Sequence, residues 1–137
     1  MGIPGVQPPL TSEQIGVVVV EDEPTLLLYA CEILADAGLF AFAAANAEEA
    51  VALLRERGDI QVLITDVSFA NGGMDGWQLV RLVATMWPHI GQLVVSGGSR
   101  PTAGELPAGV RFMHKPYRSH ELVSQVFRFV TDGTGSI

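Results

Sequence analysis

Short apolar blocks that end in a polar or charged residue recur along this chain, separated by stretches of helical periodicity. Val17-Val18-Val19-Val20 runs into Glu21-Asp22, Val62-Leu63-Ile64-Thr65 into Asp66, Leu93-Val94-Val95 into Ser96, and Val110-Arg111-Phe112-Met113-His114 into Lys115-Pro116. A weaker block, Leu39 to Ala44, lies between the first two. Continuous runs of this kind are how strands read when helices cover both faces of their sheet.

The intervening segments predict helices with recognisable ends. Pro24 suits a first turn and opens a helix through Leu27, Leu28, Cys31 and Leu34 that stops at Gly38. Asn46 caps a second, with Ala50, Leu53 and Leu54 on its apolar face and its end at Gly58. A third carries Leu79, Val80, Leu82, Val83 and Met86 inward and is closed by Pro88; a last one runs from about Ser119 to Phe129 with Leu122, Val123, Val126, Phe127 and Val130 at helical spacing. Between the fourth and fifth strands, Gly97 to Gly109 contains Pro101, Gly104 and Pro107, which predicts a short or irregular helix at most. Residues 1–14, rich in Gly and Pro, read as a flexible tail, 15–131 as one domain and 132–137 as a second tail. Five strands alternating with helices make an α/β fold with a doubly wound parallel sheet, since parallel neighbours need right-handed crossovers.

Composition narrows the classes. The chain of 137 residues suffices for one domain with a proper core. Apolar residues make up 48% and the mean hydropathy is +0.33, yet no block approaches the roughly 18 residues of a membrane span. A net charge of −7 and eight scattered basic residues argue against direct nucleic-acid binding. The single cysteine, Cys31, excludes an internal disulfide and falls in a helical pattern, where packing is its role. Met1 to Pro9 shows no basic segment followed by an apolar core, so no secretory signal is expected and a cytoplasmic location is. Neither His89 nor His114 has a second ligand at metal spacing.

If the apolar runs are parallel strands, their polar ends share one edge, the carboxyl edge where open α/β sheets build their sites. Glu21, Asp22 and Asp66 there would raise each other's proton affinity unless a cation intervenes. Hard oxygen ligands suit magnesium, with Asp22 and Asp66 as direct ligands, the Ser68 backbone carbonyl as a third and Glu21 acting through water. Lys115 supplies a point charge and Ser96 a small hydroxyl, suitable partners for the oxygens of a phosphoryl group. Glu23 is read as no more than a helix N-terminal charge.

With Val-Val-Glu-Asp-Glu-Pro at 19–24, Ile-Thr-Asp at 64–66, Met-Asp-Gly at 74–76, Val-Ser-Gly at 95–97 and Lys-Pro-Tyr at 115–117, the chain resembles the receiver domain of two-component response regulators from about Gly16 to Val130. The resemblance implies a flavodoxin-like strand order 2-1-3-4-5. It makes Asp66 the acceptor of phosphate from a histidine kinase or histidine phosphotransfer protein, and Glu21 and Asp22 the organisers of Mg2+, or Mn2+. Ser96 and Lys115 then sense the phosphoryl oxygens, and Phe112 is the aromatic residue whose rotamer follows Ser96. With only Thr131 to Ile137 remaining after Val130, it implies a stand-alone receiver, monomeric or weakly dimeric, that docks to a downstream protein or relays phosphate.

The chain departs from the family pattern in places. The loop after Asp66 is longer by about two residues and lacks the customary proline. The thirteen residues from Gly97 to Gly109 are more broken than a typical fourth receiver helix, and Ser68 and Gly98 are small where longer side chains are common. Small groups leave water a path to phosphorus, so rapid self-dephosphorylation is expected. A degenerate, non-phosphorylated interaction module is the alternative, although such modules lose the acceptor, the acid pair or the lysine. A haloacid-dehalogenase-type phosphatase would need a second aspartate where Ser68 stands.

Overall fold

A computed structural model of the chain describes residues 9–11, 13–68, 73–98 and 106–131. Nine elements follow in order: β1 (Gly16–Val20), α1 (Pro24–Asp36), β2 (Phe40–Ala44), α2 (Ala47–Glu56), β3 (Ile60–Asp66), α3 (Gly76–Met86), β4 (Gly91–Ser96), β5 (Arg111–His114) and α4 (Ser119–Thr131). The strands form one five-stranded sheet in the order β2-β1-β3-β4-β5, every neighbouring pair parallel. This is the doubly wound α/β fold with the order expected. Most of the stretch expected to hold a short fourth receiver helix, and the tail 132–137, lie outside the described residues; the described flanks, Gly97-Gly98 and Leu106 to Val110, are bends and turns.

Because strand side chains alternate between faces, the sheet divides the core in two. Val17, Val19, Val62, Ile64, Leu93 and Val95 point to the side covered by α1 and α4, where they meet Ile33, Leu34, Leu122, Val126 and Phe129. Val18, Val20 and Leu63 point to the other side, joined by Ile60 because the β1–β3 register shifts between Gly16 and Val17, and they meet Ala50, Val51 and Leu54 of α2 and Leu79 and Val83 of α3. Leu34, Leu63, Leu79, Leu93 and Leu122 are among the largest fully buried side chains, each stabilising the fold by about 2–3 kcal/mol relative to exposure.

Local sequence sets the helix ends. Glu23 caps α1 through bonds from the Thr25 and Leu26 N–H groups, Asn46 caps α2, and Asp75 with Gln78 closes a capping box on α3. After α1, Gly38 turns the chain at φ +85°, a conformation in which a Cβ is strained. Within the segment read as an N-terminal tail, the Leu10 N–H donates to Asp59 Oδ2 at 2.9 Å and the Gln14 carbonyl accepts from Gln61 Nε2 at 3.2 Å.

Two apolar positions differ from the helical reading. Met86 is 53% exposed, because Trp87 and Ile90 fill the core beneath the last turn of α3. Phe127 is 38% exposed, and Phe129 is buried at 5% in its place. Gly91 explains the choice: a Cβ there would lie 2.5 Å from Phe129 Cδ1, so the ring occupies the space that glycine leaves on β4. Arg111 stacks on that ring, its guanidinium carbon 4.3 Å from the centroid. Gly91→Ala is therefore expected to lower stability by about 1–3 kcal/mol through overpacking, with part of the loss restored by adding Phe129→Leu. Urea unfolding followed by circular dichroism measures both.

Candidate functional site

The carboxyl ends of β1, β3, β4 and β5 converge because the sheet is in register: Val20 pairs with Thr65, Asp66 with Val95, and Ser96 with His114. The residue after β1, Glu21, and the last residue of β3, Asp66, are consequently side by side and buried, while Asp22 is exposed beside them. Carboxylate oxygens of all three lie within 4.8 Å of one another. Lys115, just beyond β5, enters the cluster from the far side; its Nζ lies 2.8 Å from Glu21 Oε1 and 3.2 Å from Asp66 Oδ2. The peptide that follows it, Lys115-Pro116, is cis.

Asp66 is held by more than the lysine. The Ser68 N–H donates to Asp66 Oδ1 at 3.0 Å, and the Ser68 hydroxyl is 2.8 Å from Oδ1 and 2.9 Å from Oδ2. Behind it, the Thr65 hydroxyl donates to the Asp66 carbonyl at 2.8 Å. Burial alone would push the Asp66 carboxyl up, but the Ser68 bonds and the Lys115 charge outweigh it and hold the group below its usual range. For Glu21 burial wins, and its carboxyl is lifted despite the lysine and a bond from the Glu23 N–H. Lys115 loses some proton affinity to burial and regains more from Glu21 and Asp66, so its ammonium persists above the ordinary lysine range.

The site residues expected from the sequence do not all meet. Glu21, Asp22, Asp66 and Lys115 form one cluster. The Ser96 hydroxyl is buried but turned to its own loop, where it accepts from the Gly98 N–H at 3.0 Å. Phe112 is half-buried opposite Val94 on β4, its ring edge-on to His114 at 4.9 Å between centroids. Ser68, expected to contribute its carbonyl, also touches Asp66 through its hydroxyl and N–H.

Two contributors escaped the sequence reading. A Cβ at Gly76 would lie 2.5 Å from Val67 Cα and 2.7 Å from the Asp66 carbonyl oxygen, so only glycine lets α3 start this close to the loop. Glu48 on α2 accepts from the Met74 N–H at 2.9 Å and so ties the far end of that loop to the second helix. The Met-Asp-Gly motif signalled the first; nothing in the sequence signalled the second.

Three carboxylate oxygens clustered at a concave edge are a hard, anionic donor set that fits a small divalent cation, with room for water on the exposed Asp22 side. Next to it, a cleft of about 360 Å³ is lined by Glu21, Leu26, Tyr29, Lys115, Pro116 and Tyr117, so the charged pair opens onto an apolar surface.

The sequence of residues 17–127 matches the response regulator receiver domain, and the chain belongs to that family. Among similar proteins is the putative response regulator NtrX-like of Rickettsia bellii, 28% identical over 112 residues; the match covers 80% of this chain and 23% of that protein. The chain thus spans about a quarter of the length of that curated relative. In structure it is similar to a response regulator receiver protein from Sinorhizobium medicae, with a TM-score of 0.80 and 25% identity over 88% of this chain and 98% of the other. NtrX from Brucella abortus, solved with ATP, shares the fold at a TM-score of 0.77 and 22% identity over 85% of this chain and 27% of that one. Receiver domains are signalling modules of two-component systems. Among the described residues no helix is long and apolar enough to cross a membrane.

Removing the lysine should expose the electrostatics directly. Lys115→Met leaves Glu21 and Asp66 buried without their cation and is expected to cost about 1–3 kcal/mol at pH 7, less than a fully buried pair because the lysine is partly solvated. Asp66 has a depressed carboxyl, so its contribution is present above the ordinary carboxylate range and lost as pH falls through its lower folded value. The difference between wild type and Lys115→Met should accordingly shrink as pH drops below about 4, measured by urea unfolding across pH.

Proposed function

We propose that this chain is a phosphorylatable receiver: Asp66 accepts a phosphoryl group from a histidine kinase or a histidine phosphotransfer protein, and the change in charge switches a docking surface or is relayed onward. The observation that carries this reading is the buried Asp66 carboxylate with Lys115 on one oxygen, beside Glu21 and Asp22 at the same sheet edge.

In the reaction an Asp66 carboxylate oxygen attacks phosphorus, the P–N bond to the donor imidazole breaks, and the imidazole nitrogen keeps the bonding pair. The Ser68 bonds and the Lys115 charge offset the burial of Asp66, so its carboxylate, the nucleophile, is ionised at neutral pH. Glu21, Asp22 and Asp66, with the Ser68 carbonyl, are the residues that would hold Mg2+ or Mn2+; when bound, the ion neutralises charge on the phosphoryl oxygens. Lys115 is already at Asp66 and pairs with one of those oxygens. Ser96 must exchange its bond from Gly98 for the phosphoryl group, and that movement frees space for Phe112 to turn inward. Hydrolysis ends the signal: water attacks phosphorus and Asp66 leaves as carboxylate. The cytoplasm is the location consistent with such a donor.

The non-phosphorylated interaction module remains the alternative, and no feature of the cluster favours it. Ser68, at the position where a haloacid-dehalogenase-type phosphatase places its second aspartate, bonds to the first aspartate instead of serving as an acid.

Incubation with acetyl phosphate and magnesium should add one phosphoryl group to the wild-type chain, read by intact mass, and none to Asp66→Asn. Absence of the adduct from the wild type would select the interaction module. The acyl phosphate is further expected to decay quickly, because Ser68 and Gly98 are small at positions where longer side chains would screen phosphorus from water. Retention of most of the label for many hours in a phosphate-release assay contradicts that.

A further inference from the structure

β2 is an edge strand, paired with β1 alone. Its sequence, Phe40-Ala41-Phe42-Ala43-Ala44, is wholly apolar, and no charged residue occurs from Ala37 to Ala47. Edge strands of soluble proteins are ordinarily protected by a lysine, a proline or a bulge. β2 has none of these, and its ladder with β1 is regular along all five residues.

The phase of that ladder decides what the free edge presents. The Phe40 N–H donates to the Ile15 carbonyl at 2.9 Å and the Ala44 carbonyl accepts from the Glu21 N–H at 3.0 Å. Phe40, Phe42 and Ala44 therefore commit their main-chain groups to β1, and the residues between them turn theirs outward. Leu39 N–H is taken by the Leu34 carbonyl at 3.0 Å and Ala45 N–H by Glu49 Oε1 at 2.8 Å. Ala41 and Ala43 are left as the outward donors and acceptors of the strand.

Beside them runs a groove of about 340 Å³ lined by Ala35, Gly38, Leu39, Phe40, Ala41 and Phe42. None of those side chains carries a polar atom, so the hydrogen-bonding groups of the groove are main-chain groups. On α1, Leu28 lies two turns before Ala35 on the same helix face and is 59% exposed, more than any other large hydrophobic side chain among the described residues.

We propose that the β2 edge is a homodimer interface, in which β2 of a second copy of this chain pairs antiparallel about a two-fold axis at Phe42. That axis sets Ala41 opposite Ala43 of the second copy and Ala43 opposite its Ala41, each pair exchanging both bonds, for about four main-chain hydrogen bonds. Two five-stranded sheets become one continuous sheet. The mate is a second copy because the strand is uncharged through its whole length and self-complementary under this symmetry, so the strand pairing itself buries no side-chain charge, and the exposed Glu32 on α1 lies outside it. With the axis normal to the sheet, the two α1 helices come to lie antiparallel over the junction, and Leu28 of each faces the Ala35 turn of the other.

Sedimentation velocity of the full chain over a rising concentration series tests this, with circular dichroism and thermal unfolding confirming that each variant is folded. A concentration-dependent dimer is expected, weakened at least about tenfold by Ala43→Lys, which places an ammonium on the paired edge. Leu28→Glu is expected to weaken it comparably, and Phe127→Glu, at an exposed position on α4, to leave it unchanged. A chain that stays monomeric at every concentration, or a dimer that Ala43→Lys leaves intact, overturns the proposal. Weakening by Ala43→Lys but not by Leu28→Glu retains the strand pairing and removes the α1 contact.

Discussion

The ammonium of Lys115, held between Glu21 and Asp66, is the interaction on which the carboxyl edge of this sheet depends. Carboxylates about 5 Å apart repel by roughly 3 kcal/mol at an effective dielectric of about 20, and burying them adds a desolvation cost. A cation inside the cluster offsets both. It can be there only because β5 delivers it: the last residue of β5, His114, is opposite Ser96, and the Lys115 N–H donates to the Ser96 carbonyl at 2.9 Å, extending the ladder one step past the strand. The β1–β3 register shifts once, between Gly16 and Val17, and is regular from Val17 to Val20; a further slip of one residue there, or between β3, β4 and β5, would turn the inward set of side chains to the other face. The two-sided core is thus also what aims the charges, since Val17 and Val19 on one face and Val18 and Val20 on the other hold β1 in a single register.

Glycines place the surrounding elements where they can serve that edge. Gly76 lets α3 begin within contact of the Asp66 carbonyl, and the Asp75–Gln78 capping box anchors the helix at that spot. The loop that follows Asp66 is then tied at both described ends, by the bonds between Ser68 and Asp66 and by Glu48 at Met74. At the other end of β4, Gly91 admits Phe129 and so seats α4 against the sheet.

Much of this is legible in the amino-acid sequence. The blocks of apolar residues are continuous because both faces of the sheet are covered, and each polar residue that ends a block marks a strand terminus; Glu21-Asp22, Asp66, Ser96 and Lys115 could therefore be assigned to one edge from spacing alone. The cap at Asn46 is equally local, whereas Glu23, which caps α1, reads from the sequence only as a helix N-terminal charge. What could not be read depends on contacts between segments far apart in sequence. Phe127 and Phe129 both suit an apolar helix face, and only the gap at Gly91, on another element, selects Phe129. Met86 has the right spacing to point inward, but Trp87 and Ile90 had already filled the space. The Ser68 hydroxyl contact is not legible for a subtler reason: a side chain two residues beyond a strand end can face either way, and its direction is set by the turn.

That hydroxyl changes how the resting site should be understood. A single O–H shared between both oxygens of Asp66, reinforced by the Ser68 N–H, holds the carboxylate in one orientation while Lys115 takes Oδ2. Both oxygens are engaged, so in the proposed reaction a phosphoryl group arriving at either would have to displace a hydrogen bond whose net worth is about 1 kcal/mol, somewhat more because the acceptor is charged. The displaced groups are not wasted. The Ser68 hydroxyl and the Lys115 ammonium are donors of the kind that a new phosphoryl oxygen requires, and they stand within 3.2 Å of the atom to which it would be attached. In the proposed reaction the bonds that restrain the empty acceptor and those that stabilise the loaded one are made by the same two residues. The barrier to loading and the stability of the product are consequently set together, by how far Ser68 and Lys115 must move.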